Sequence, residues 1–394
     1  MQQNSTATFP PYLVWVIPNN IFNSFSAAPR LEMTQEMRNL GWRVELITSG
    51  AAGRHVVQGV DVLCFPQPDI YMIRQIIYHL QIIRYILQNW NLINVVFFHQ
   101  ESLPWILSLR LLNIFGKKHP IFVMDTRTVP MEPVEKATFK DKFRGKFYFL
   151  MNNLANRLAD GQTAITQRMA DLLSIPREKL WGTWPSGVNT DQFSIAPKNR
   201  QWPDSNGPVK LIYIGSLGYG RNLMTLCQAV VEANRQGMNF LLLLYGAGTE
   251  KKDLEAFALQ THGLIKVYDA VSHDQAPEIL SRSHVGTLSF PDEDKYRVSS
   301  PIKLFEYMGA GMPILATKIV CHTDVMGNSD FVFWAENSDI DGILGALKQV
   351  WKERSVLSTL GEKSLSAARD WTYVAAAKRL NNALQHGLSL CGER

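Results

Sequence analysis

The sequence predicts an α/β protein of two doubly wound domains, on three observations. Short apolar runs rich in branched residues alternate with helical patterns along most of the 394 residues. The series restarts part-way along the chain, and the stretch where it restarts is polar and rich in Pro, Gly and Asn. Continuous apolar strands between helices imply parallel sheets covered on both faces. Right-handed crossovers then make each domain doubly wound.

In the front half the apolar runs fall at residues 12–17, 44–48, 95–98, 121–124 and 162–166. In the back half they fall at 210–214, 240–245, 265–268, 285–289 and 314–316. Between them, residues 186–210 read SGVNTDQFSIAPKNRQWPDSNGPVK, a linker composition without helical period. The expected division is 1–190 for a front domain, 191–370 for a back domain, and 371–394 for a closing helix. Two such domains facing across a cleft bind ligands outside the carboxyl ends of their strands. That architecture names no reaction by itself.

Composition narrows the class. With 46% hydrophobic and 19% charged residues, disordered, collagen-like and coiled-coil readings drop out. The four cysteines, Cys64, Cys227, Cys321 and Cys391, show neither a CxxC nor metal spacing with His, which argues against a disulfide scaffold or zinc module and fits a reducing compartment. No apolar run reaches the roughly 20 residues of a membrane span, and the start, MQQNSTATFPP, lacks the pattern of a secretory signal. A cytoplasmic chain is expected. Residues 1–185 carry 19 Lys and Arg against 13 Asp and Glu, and the remainder 21 against 22. A basic front half and a near-neutral back half suggest different partners for the two.

The most informative stretch is SSPIKLFEYMGAGMPILAT, residues 299–317. Pro301 suits the first turn of a helix, and Gly309 and Gly311 end it before the next strand. The free N–H groups near Ile302–Phe305 and the positive helix end suit a phosphate oxygen, and Lys303 adds a point charge. Glu306 lies one turn on, near the same face, where a carboxylate can take two vicinal ribose hydroxyls. A lone KxxE pair on a helix is ordinarily a surface ion pair. A second feature supports the ligand reading: in LIYIGSLGYGRN, residues 211–222, Gly215, Gly218 and Gly220 follow a strand and Arg221 stands at a helix entry. Alone, that would be a tight turn. YGAGT, residues 245–249, could approach the same ligand.

These stretches resemble glycosyltransferase family 4, retaining enzymes of the GT-B architecture, which pair two Rossmann-like domains. SSPIKLFEYMGAGMPILAT is similar to the family's donor-binding signature, and IYIGSLGYGRN and LLLLYGAGT to its first two back-domain strands with their loops. WPSGVNTDQF resembles the interdomain segment and RDWTYVAAAKRL the helix returning to the first domain. The resemblance covers most of residues 181–385. It implies a nucleotide-diphosphate sugar donor, UDP-linked in preference to GDP-linked, as a substrate with no cofactor. Glu306 would bind the ribose, Lys303 and Arg221 the diphosphate, and the N–H groups of Leu304 and Phe305 the distal phosphate. Gly215, Ser216, Gly218, Ser299, Ser300, Pro301 and Ile302 complete the implied donor site. Two positions depart from the family: Ser216 stands where many members have Arg, and Val298 where many have a Glu that touches the donor sugar. Sugar recognition then falls to Ser299, Ser300 or the preceding loop.

In the implied mechanism Arg221 and Lys303 meet charge developing on the diphosphate, without a metal. Asp292–Asp294 (DED) reads as a solvated loop rather than a metal site. On the acceptor side stand Asp125 and Arg127, in FVMDTRTVP, and His99, in VVFFHQES. Asp125 occupies the place of a family His, as acceptor-side group or cap; His99 reads as structural or catalytic. The expected activity is transfer to a saccharide or lipid-linked saccharide in surface-glycan assembly. A GT-B-like binding subunit without catalysis and a nucleotide-sugar epimerase are the alternatives.

Two stretches bear on a membrane. Residues 70–100 contain no acid, and Arg74, Gln81, Arg84 and Gln88 recur at helical spacing among Ile, Leu, Tyr and Met. This is a core helix with a solvated edge or a helix lying in the membrane interface. KATFKDKFRGKFYF, residues 136–149, interleaves cations with Phe139, Phe143, Phe147, Tyr148 and Phe149. That mix suits an anionic leaflet, single-stranded nucleic acid or an ordinary solvated helix. Peripheral contact at the inner face of the cytoplasmic membrane is preferred to nucleic acid.

Overall fold

The structure, a computed structural model, describes residues 10–18, 20–23, 27–68, 70–110, 120–130, 139–204 and 207–392. The chain divides into two compact units. The front unit holds residues 1–127, 143–185 and 376–394; the back unit holds 128–142 and 186–375. The main change of unit falls at Pro185/Ser186, against the expected 190/191, and the last helix, Tyr373–Gly392, passes from the back unit into the front one.

The front unit is an eight-stranded sheet in the order β3-β4-β2-β1-β5-β6-β7-β8. Its strands are β1 (Tyr12–Val16), β2 (Arg43–Ser49), β3 (Gly53–Val57), β4 (Val60–Phe65), β5 (Val95–Phe98), β6 (Ile121–Thr126), β7 (Gly161–Ala164) and β8 (Leu180–Thr183). Among the described residues only β3 and β4 pair antiparallel. The central strands β1, β5, β6 and β7 are buried at every position, as parallel strands covered on both faces must be. The β3–β4 hairpin turns at Gln58 and Gly59, both at positive φ, and its alternating half-exposed pattern is that of a sheet edge. The closing helix is fastened here: Trp42 Nε1 donates to Asn381 Oδ1 at 2.8 Å.

The back unit is a six-stranded, wholly parallel sheet in the order β11-β10-β9-β12-β13-β14. Its strands are β9 (Val209–Ser216), β10 (Phe240–Ala247), β11 (Ile265–Tyr268), β12 (Val285–Leu288), β13 (Ile314–Thr317) and β14 (Val332–Ala335). From β9 the chain winds outward to β10 and β11, then returns to β12 on the other side. The topological switch therefore lies between β9 and β12, where a doubly wound sheet opens its binding crevice.

One buried side chain ties the linker to several carbonyls of the back unit. Buried Arg200 donates to four carbonyls: Ser283 O at 2.7 Å, Leu280 O at 3.0 Å, Ala310 O at 2.8 Å and Gly311 O at 2.6 Å. Burial pulls its guanidinium down to about 10, so it stays charged at neutral pH. Arg200→Met would leave those carbonyls without their donor, and removing one member of a buried charged network costs about 3 kcal/mol or more. Urea denaturation should show that loss, while a change below about 0.5 kcal/mol, typical of a neutral surface site, would contradict it.

Candidate nucleotide-diphosphate site

The site is assembled where β9 and β12 end. Beyond β9, Tyr219–Arg221 forms a single turn, with Arg221 N–H donating to Gly218 O at 2.8 Å. Asn222 follows in the left-handed region at φ 59°, and Ser289, just past β12, donates from Oγ to Arg221 O at 3.1 Å. Tyr296 O–H donates to Gly220 O. The two loops flanking the switch point are thus tied together by hydrogen bonds to backbone. The Arg221 guanidinium lies 5.0 Å from the Phe290 ring and 5.4 Å from the Tyr296 ring, an aromatic seat that suits guanidinium rather than ammonium.

Lys303 belongs to the helix Ile302–Gly309, which Pro301 caps in an extended conformation without a side-chain cap. Pro301 therefore stands just outside the helix rather than in its first turn. Leu304 N–H donates to Pro301 O at 3.1 Å, so that amide is already engaged. The lysine side chain runs back across Gly215, whose φ of 143° already favours glycine; any Cβ there would collide with Lys303 Cε and Nζ. Gly248 is constrained in the same way, packed on the Leu217 carbonyl, which brings the loop after β10 against the loop after β9.

Lys303 is half-buried. Burial, then the neighbouring Arg221 guanidinium, push its ammonium down to about 8, with Glu306 acting in the opposite sense. The structure therefore brings Arg221 and Lys303 together. Glu306 is buried, and its Oε1 lies 3.1 Å from His273 Nε2. His273 follows β11; its Nδ1 accepts from Gln192 Nε2 at 3.2 Å, and its ring packs edge-on to Phe193. Sequence reasoning missed His273, although its place after an apolar strand, beside the capping box of Ser272 and Gln275, marks a strand-to-helix loop.

The remaining donor-side residues divide by role. Ser300 is buried and serves the linker: its Oγ accepts from Ser186 N–H at 3.0 Å, and Ser186 Oγ donates to Ser300 O at 2.9 Å. Ser299 Oγ donates to Tyr296 O at 2.7 Å. Ser216 ends β9, its hydroxyl beside Gly218. Val298 is buried. Asp292 and Asp294 are both paired with Arg297, and Glu293 with Lys295. Among the described residues no three His, Cys, Asp or Glu group as metal ligands.

Asp125, His99 and Arg127 lie together in the front unit, at the carboxyl ends of β5 and β6. Asp125 is fully buried; its Oδ1 accepts from Thr163 Oγ1 at 2.6 Å and from Trp184 Nε1 at 3.0 Å. Burial raises its carboxyl, against the pull of Arg127, those two hydrogen bonds and Arg30. His99 Nδ1 lies 3.2 Å from the Asp125 carbonyl, and burial with the Arg30 charge pushes it down to about 3. Arg127 stacks its guanidinium 3.5 Å from the Trp184 ring centre and donates to the Trp184 carbonyl.

With this geometry in view, comparison with known proteins places the back unit. Residues 208–353 match the family model for glycosyl transferases group 1, a span that includes Gly215, Arg221, Lys303 and Glu306. Over that span the back unit is similar to a group 1 glycosyltransferase domain. A 2-deoxystreptamine glucosyltransferase of Streptomyces kanamyceticus is 23% identical over 271 residues, 66% of either chain, so the match spans just under two thirds of that relative. Among solved structures, sucrose-phosphate synthase from Thermosynechococcus elongatus superposes with a TM-score of 0.72 at 12% identity, covering 98% of this chain and 100% of that one. HepE of Anabaena, solved with UDP and glucose, gives 0.70 at 13%, covering 95% and 99%. The fold of the whole chain is GT-B.

A pH dependence follows for the site of the back unit. Lys303 is charged below about 8, and a bound diphosphate must raise that value, so binding takes up a proton above it. UDP affinity measured by calorimetry should fall as pH rises past about 8, by up to roughly tenfold per unit. Lys303→Met should bind weakly with that slope gone; an unchanged slope would separate Lys303 from the diphosphate.

Proposed function

We propose that the protein is a retaining, metal-independent glycosyltransferase of family 4. It would move a hexosyl group from a UDP-sugar to a saccharide or lipid-linked saccharide acceptor in surface-glycan assembly, in the cytoplasm. The observation that carries this reading is the meeting of Arg221, from the turn after β9, with Lys303 in the first turn of the helix Ile302–Gly309, with Glu306 one turn further along. Two cations held together need a dianion, and a carboxylate at that distance suits the ribose that such a dianion carries. The HepE complexes with UDP and UDP-glucose, and the glucosyl transfer in the name of the Streptomyces relative, support UDP and a hexose.

In the transfer, the bond from C1 to the diphosphate oxygen breaks and the electron pair leaves with the diphosphate. Arg221, Lys303 and the helix start meet that charge as it grows, where fixed donors contribute most. The acceptor oxygen bonds to C1 on the same face, and its proton passes to the leaving phosphate. The ion pairs that occupy Asp292, Glu293 and Asp294 support a reaction without a metal, as does the cation pair in its place. Arg127, stacked on Trp184, serves the acceptor side, with Asp125 and His99 as the polar groups behind it.

The buried Val298 in place of a sugar-contacting Glu favours one other reading, a subunit that binds donor without turning it over. Slow donor hydrolysis across a panel of nucleotide sugars separates the two, since it needs no acceptor. A UDP-sugar should be hydrolysed, UDP should raise the melting temperature more than GDP does, and Lys303→Ala should lower turnover by about 100-fold or more with little loss of stability. Binding of UDP with no hydrolysis and no transfer would favour the binding subunit. Equal loss of stability and turnover in Lys303→Ala would remove the lysine's catalytic role.

A further inference from the structure

We propose that the front unit docks on an anionic lipid bilayer through two helices that flank the turn Gln100–Ser102, Tyr71–Gln88 and, from Phe143 onward, Phe139–Leu158. The first helix is apolar on both sides. Tyr78, Ile82 and Ile86 face inward and belong to the core of the front sheet. On the opposite side Ile73, Ile76, Ile77, Leu80 and Leu87 are exposed, Leu80 at 54%. A helix with one face to water ordinarily keeps that face polar, and a contiguous apolar row marks an interaction surface. The predicted stripe Arg74, Gln81, Arg84 and Gln88 runs along one edge of this row, a cationic border rather than the whole solvated face.

The second helix exposes Phe143 at 65%, together with Phe149 and Leu150, and carries exposed Arg144 and Lys146 among them. Both helices pack on the same core, the second through Met151 and Ala155. They flank the turn Gln100–Ser102: His79 Nε2 lies 3.0 Å from Ser102 Oγ, and Gln100 Nε2 donates to Tyr148 O–H at 3.2 Å. Arg74 of the first helix and Arg144 of the second both act on Glu101, as does Arg30. Neither residues 70–100 nor residues 142–158 contain an acid, so Glu101 faces an excess of cations.

Charge selects the occupant. A second copy of this surface would set cation against cation, whereas an anionic leaflet matches the Lys and Arg while its acyl boundary takes isoleucine, leucine and phenylalanine. No helix among the described residues is long and apolar enough to cross a membrane, so the contact is one of lying on the surface. It stands independently of the sugar-transfer reading.

The test is co-sedimentation of the full chain with vesicles of phosphatidylcholine alone and of phosphatidylcholine mixed with phosphatidylglycerol. The chain should bind the mixed vesicles at low salt, and less as salt is raised. Ile77→Ser with Leu80→Ser should weaken binding by about tenfold or more, and Arg144→Glu with Lys146→Glu by a similar factor. The melting-temperature shift with UDP should be unchanged in both, which reports an intact fold and keeps donor binding separate. Failure to bind anionic vesicles at low salt, wild-type binding by either double variant, or a dimer lost in Leu80→Ser without any vesicle binding would overturn the proposal.

Discussion

Everything in the back unit is arranged around one electrostatically costly contact, the approach of the Lys303 ammonium to the Arg221 guanidinium. Burial first, and then the neighbouring guanidinium, push the lysine's ammonium down to about 8, and like charges brought together destabilise one another. The fold keeps the pair because each cation has its own seat. Arg221 rests against Phe290 and Tyr296 in a turn whose carbonyls are held by Ser289 and Tyr296. Lys303 lies in a groove that exists because residue 215 has no side chain. Glu306 offsets part of the cost, yet its oxygen is drawn toward His273. A diphosphate is the ligand that would convert this repulsion into binding energy.

The surrounding connections serve the same end. Ser186, the first residue of the back unit after the change of domain, exchanges two hydrogen bonds with Ser300, one residue before the helix cap. Arg200 then fixes the outgoing linker to the carbonyls at the far end of that helix, Ala310 and Gly311. Both ends of an eight-residue helix are therefore braced by the linker. A short helix has little stability of its own, so such bracing holds its start in one direction.

How much of this was legible in the sequence depends on what each residue answers to. The central strands are buried on both faces, so they read directly as apolar runs. The hairpin β3–β4 and the edge strands β8 and β14 escaped: β3 is largely exposed and β4 alternates, β8 is Leu-Trp-Gly-Thr, and β14 is a run of four residues. Lys303, Glu306 and Arg221 were legible because glycines and a proline mark the loop and helix start around them. The role of Ser300 was not, because its partner lies 114 residues away and no local pattern announces a hydrogen bond of that kind. His273 is hidden for the same reason, 33 residues from Glu306. The helix Tyr71–Gln88 shows the converse limit: an apolar row reads alike in a core and on a surface, and only the fold shows that one half of it is bare.

The front unit's polar cluster bears on where the chemistry resides. His99 and Asp125 meet because β5 and β6 are adjacent and in register, Phe98 beside Met124. Their surroundings, however, work against proton transfer near neutrality. Burial and Arg30 hold the imidazole neutral down to about pH 3, a value far too low for an effective general base. The Asp125 carboxylate is sealed, with one oxygen committed to Thr163 and Trp184. What the cluster does well is hold the Trp184 indole, against which Arg127 is stacked, so that one cation of the front unit has a fixed position. A cluster that orients but whose His99 is no base near neutral pH fits the proposed transfer, in which the departing diphosphate would accept the acceptor's proton itself.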